Sequence, residues 1–79
     1  MNAALDLEDD NVRLVCKRIV ALVRWCEKHN SPFPKYRAVA EAVGVMPWEL
    51  AKYVNTLIAE EIIIRPRESA KARYFKVNN

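Results

Sequence analysis

A single glycine occurs in the chain, Gly44, and it falls between two stretches that each set apolar residues on one helical face. Before it, Tyr36, Val39, Ala40 and Val43 repeat at helical spacing. After it, Leu50, Tyr53, Val54, Leu57 and Ile58 do the same. A helix that closes on a left-handed residue favours glycine there, because a Cβ is strained in that conformation. Val45 can then plug the corner, and Pro47 suits a first helical turn, where its missing N–H has no partner to lose. Ala40, four residues before Gly44, is small enough to let the two helices approach closely. Two helices joined through so short a turn, with this alanine–glycine–apolar spacing, carry the packing signature of a DNA-reading helix-turn-helix, here over residues 35–60.

What surrounds the pair is limited by length. Seventy-nine residues make one domain, 1–79, and a chain this short buries only about 60% of its unfolded surface. The initial methionine and the end at Asn79 read as a whole small protein or an excised domain. No apolar run approaches the roughly 20 residues that span a bilayer, and no signal-peptide core follows Met1. Net charge is +3, unevenly placed. Asp6, Glu8, Asp9 and Asp10 gather before residue 11, so the thirteen Lys and Arg set against the six remaining acids leave +7 on the rest. A basic body points to a polyanionic partner, while carboxylates before a first helix also favour its dipole.

That first helix is predicted over about 8–29, capped by an acid between Asp6 and Asp10. Val12, Val15, Cys16, Ile19, Leu22, Val23 and Cys26 form its inward stripe. The two cysteines are ten residues apart, about 15 Å along a helix, beyond disulfide reach. They read as buried free thiols in a reducing, cytoplasmic compartment. On the opposite face Leu14, Ala21 and Trp25 line up beside Arg13, Lys17, Arg24 and Lys28, a candidate surface for a homodimer or a protein partner. Trp25 packing over the wing or the C-terminal residues is the alternative. Pro32 and Pro34 break the helix. His29 at its end serves the dipole or faces water, and Phe33 is expected to plug the core.

Residues 61–78 read as a hairpin. Glu61–Arg65 is a short β-branched strand ended by Pro66, residues 67–72 are a polar loop, and Arg73–Val77 is a second strand with Phe75 and Val77 on one face. Across 65–76 five cations (Arg65, Arg67, Lys71, Arg73, Lys76) face one acid, Glu68.

From Val39 to Val77, about half the chain, this order resembles the winged helix-turn-helix domain of bacterial, archaeal and phage regulators, most of all the MarR-type domains and the small pilus-operon regulators. The run Val39-Ala-Glu-Ala-Val-Gly-Val45, then Leu50-Ala-Lys-Tyr-Val54, Leu57 and Ile62-Ile-Ile64 follows that pattern. Two positions depart from it. Glu61 stands where the family usually has glycine, and Met46 where Ser or Thr usually caps the recognition helix, so that cap must come from elsewhere or be missing. The fold class implied is α+β, three helices followed by a two-stranded antiparallel β-hairpin wing.

The resemblance implies a sequence-specific double-stranded DNA-binding protein, a small transcriptional regulator. On the third helix Trp48, Lys52, Asn55 and Thr56 face outward, with Ala51 at the edge. Lys52 can donate to guanine or phosphate and Asn55 can pair with adenine. Trp48 suits sugar-phosphate or a thymine methyl, or folds back on the second helix. Lys35 and Arg37 suit phosphate. Arg65, Arg67, Lys71 and Arg73 would reach phosphates or the adjacent groove. A face carrying one lysine is sparsely basic, and the alternative is a winged-helix protein-interaction module or scaffold. No catalytic constellation, metal-ligand spacing, small-molecule site or cofactor motif is legible, which argues against an enzyme.

Overall fold

The computed structural model describes residues 8–65 and 74–78. Three helices and a small hairpin make up these residues: α1 (Asp10–Lys28), α2 (Tyr36–Val43), α3 (Pro47–Ala59), β1 (Ile63–Ile64) and β2 (Lys76–Val77). The class is α+β, with β1 and β2 antiparallel.

α1 starts where its acids dictate. Asp9 is extended (φ −72°, ψ 130°) and its carboxylate accepts from the Asn11 and Val12 N–H groups at 2.8 and 3.2 Å. Such a cap contributes about 1 kcal/mol. Val15, Cys16, Ile19, Val23 and Cys26 are buried along one side of α1, with Val12 and Leu22 half-buried beside them. Both cysteines are free and buried. α2 contributes Val39 and Ala40 to the core, and α3 contributes Leu50, Tyr53, Val54 and Leu57. Phe33 fills the centre, its ring edge-on to Tyr36 and Phe75 at 6.1 and 5.5 Å between centroids.

All three helices end the same way. Asn30, Gly44 and Glu61 have positive φ (53°, 83° and 60°). The next residue in each case donates its N–H five residues back: Ser31 to Cys26, Val45 to Ala40, Ile62 to Leu57, at 2.9–3.0 Å. The left-handed residue itself closes onto Glu27, Ala40 or Ile58. Each ending thereby satisfies carbonyls the helix would leave orphaned. A Cβ at Gly44 would meet nothing within 4 Å, so the demand for glycine there is purely torsional.

This ending corrects the extent of the first strand. Glu61 and Ile62, expected in a strand from Glu61 to Arg65, are spent terminating α3, and β1 is confined to Ile63 and Ile64. Glu61 thus occupies the left-handed position itself. That conformation costs a non-glycine residue about 1–2 kcal/mol, against about 0.5–1 kcal/mol of extra chain entropy for glycine. Glu61→Gly should therefore stabilise the fold by up to about 1 kcal/mol. Urea denaturation checks this, and a destabilised variant would mean that the Glu61 side chain holds the turn.

The hairpin is correspondingly slight. Ile63 pairs with Val77 and Ile64 with Lys76. Asn78 extends the contact, its N–H donating to the Ile62 carbonyl and its side-chain amide to that of Glu61. As the alternation predicts, Phe75 and Val77 are buried while Lys76 is exposed and Tyr74 half-buried. The Val77 N–H donates to the Glu27 carboxylate at 3.2 Å, so a side chain of α1 covers a backbone donor of this edge strand.

Candidate nucleic-acid interface

α3 is positioned by its inner face. Leu50, Val54 and Leu57 are almost fully buried, which fixes its rotation and turns Trp48, Lys52 and Asn55, spaced i, i+4, i+7, onto one exposed line. Ala51 and Thr56 flank that line, both half-buried. Trp48 is 64% exposed, so it does not fold back onto α2. Thr56 is less available than its outward position implied. Its hydroxyl donates to the Lys52 carbonyl at 2.8 Å, a back-bond that leaves only its acceptor capacity to the outside.

The start of α3 lacks a side-chain cap from Met46. The Glu49 carboxylate instead accepts the Met46 N–H at 3.0 Å, the reciprocal half of a capping box. Pro47 occupies the first turn. Met46 itself is 55% exposed beside Trp48, an apolar pair at the leading end of α3. No periodicity in the sequence marks Met46, because it lies in the turn between two helical patterns.

Lys35 and Arg37 are exposed at the start of α2, where Lys35 is the cap residue and makes no side-chain cap hydrogen bond. No acid lies in that first turn. Two cations beside the positive end of a helix, with backbone N–H groups left open, oppose helix stability and favour an anion. Arg65, just after β1, places its guanidinium carbon 5.5 Å from the Phe75 ring centroid, a cation–π contact that steadies the base of the hairpin. Arg67, Lys71 and Arg73 lie outside the described residues.

On α1, Leu14, Ala21 and Trp25 are all exposed. Trp25 stacks on His29, ring centroids 4.0 Å apart and 16° from parallel, and His29 Nδ1 lies 2.8 Å from the Trp25 carbonyl oxygen. Among the described residues this, not the hairpin, is the ring contact that Trp25 makes.

Among the described residues three groups on inner faces are shifted from their ordinary values. Burial pushes the Cys16 and Cys26 thiols up, and burial followed by the charges of Glu49, Cys16 and Asp9 pushes Tyr53 up. Each is held further in its neutral form at neutral pH. Among the described residues no three His, Cys, Asp or Glu side chains gather as a metal site would need, and no helix is long and apolar enough to cross a membrane. No protein-family model, curated protein or solved structure matches the chain.

Proposed function

We propose that this chain is a winged helix-turn-helix protein that binds double-stranded DNA sequence-specifically and acts as a small transcriptional regulator. The observation that carries the reading is the line Trp48, Lys52, Asn55 on α3, held outward by a buried opposite face. A helix of that exposure fits the major groove. Lys52 supplies a donor to guanine or phosphate, and Asn55 the two-sided amide that matches adenine. The open, cationic start of α2 at Lys35 and Arg37 suits a phosphate flanking the groove. Arg65, with Arg67, Lys71 and Arg73, gives the hairpin region the charge to track the backbone.

Selection of a preferred duplex from a random pool, followed by titration at two salt concentrations, tests this. Affinity should fall steeply with salt, by about 0.9 in log–log slope for each phosphate neutralised. Asn55→Ala should cost about 1–3 kcal/mol on the selected site and little on random DNA. Equal weakening on both would assign Asn55 to the DNA backbone.

The exposed apolar pair Met46 and Trp48 favours a second reading, a protein-interaction module, since apolar groups at the end of α3 suit a protein groove better than phosphates. Absence of binding to any duplex at low salt would select it.

A further inference from the structure

α1 carries a second organised face that the core leaves uncovered. At 100° per residue, Asp10, Ala21, Trp25 and Lys28 all fall within about 40° of Leu14. Leu14 and Trp25 are 48% and 53% exposed. Beside this line runs an open groove in which Leu14, Val20 and Ala21 face Leu57 and Ile62, and Ile62 is 37% exposed. Charge along the helix is polarised. Glu8, Asp9 and Asp10 gather at its start, followed by Arg13, while Arg24 and Lys28 flank Glu27 near its end, with Asp10 and Lys28 on the same flank of the line.

We propose that this face binds a second copy of the chain, α1 packed antiparallel on α1 about a two-fold axis normal to both helices. A two-fold interface must be self-complementary, each contact being made twice. One register meets that demand for both kinds of group. Setting Asp10 of one copy across from Lys28 of the other sets Leu14 across from Trp25 to within one residue. An axis normal to the helices keeps flank against flank, so Asp10 and Lys28 meet instead of diverging. Parallel packing would set acids on acids and cations on cations, with the macrodipoles aligned; antiparallel packing reverses each of these. Ala21 lies near the crossing, where its small side chain lets the helices approach. Lys17 and Arg18, also near the axis, have stems long enough to carry their charges out to water.

A helix of 19 residues, about 28 Å long, offers less contact than the roughly 1,200–2,000 Å² of a standard stable interface. The dimer is accordingly weak, with a Kd on the order of 10–100 μM. Sedimentation equilibrium without DNA, from about 1 μM to 1 mM, reads it independently of the nucleic-acid proposal. Trp25→Ala should raise Kd about tenfold or more. Asp10→Lys and Lys28→Asp should each weaken association, and the double swap should restore it to within about threefold. Because the double variant carries both helix-end penalties, a loss of fold cannot imitate that rescue. A wild type that stays monomeric at 1 mM overturns the proposal, as does a dimer indifferent to these substitutions or a double variant that fails to recover.

Discussion

Phe33→Ala is expected to remove about 3–5 kcal/mol of stability. Phe33 is almost wholly buried in the segment between α1 and α2, and its ring meets Tyr36 at the start of α2 and Phe75 just before β2. Truncation opens a cavity where three segments converge, so no single element can relax to fill it. A domain typically holds about 0.05–0.15 kcal/mol per residue in total, about 4–12 kcal/mol for a chain of 79 residues, so the loss removes between about a quarter and the whole of it. Phe33→Leu, which keeps most of the volume, should cost far less. Urea denaturation followed by circular dichroism measures both, and a loss below about 1 kcal/mol for the alanine variant would show that the aromatic cluster is not closely packed.

The second large effect is expected at Ala40, which has no exposed surface and whose carbonyl accepts from both Gly44 and Val45. Ala40→Leu inserts three carbons into a filled site at the α2–α3 crossing, an overpacking that costs about 1–3 kcal/mol. The substituted side chain can be housed only by moving α2 against its neighbours, of which α3 packs on it most extensively. On the DNA reading, that displacement carries Lys52 and Asn55 out of register with Lys35 and Arg37, so specific affinity should fall beyond what the loss of fold explains. Thermal denaturation and DNA titration of the still-folded fraction separate the two effects. Ala40→Leu with native stability would mean that the crossing is looser than the buried alanine implies.

What the sequence made legible divides along physical lines. Gly44 announced the turn because glycine is the residue that tolerates positive φ without strain, and the only one present marked its place. Asn30 and Glu61 adopt the same conformation; asparagine is the side chain that tolerates it best after glycine, whereas a glutamate carries no such signal. The β-branched run after Glu61 therefore extends the apparent strand back to it, although it stands at a position where the resembling family usually has glycine. The exposed line of α3 was readable because a period of 3.6 fixes which residues face outward once the apolar ones face in. The Thr56 hydroxyl was not, since a back-bond to Lys52 and an outward donor share the same sequence position. Nor was the Glu49 cap on Met46 foreseen, although a glutamate three residues past a helix start is half of a recognised capping pattern. The stacking of Trp25 on His29 is legible only when the two are taken as an i, i+4 pair on one helix face.

The hydrogen bond between Glu27 and Val77 joins positions fifty residues apart, and it has a bearing on how the chain is made. Phe75 to Val77 leave the ribosome after α1, α2 and α3 have emerged. Until they do, α1 lacks the strand that packs on it, and a loop of that length must close before the contact is gained. A nascent chain halted before Phe75 would therefore present an open apolar seam to chaperones, whereas a chain extended past Val77 hides it. Emergence of residues 75–77, more than the order in which α1, α2 and α3 form, decides when this seam closes.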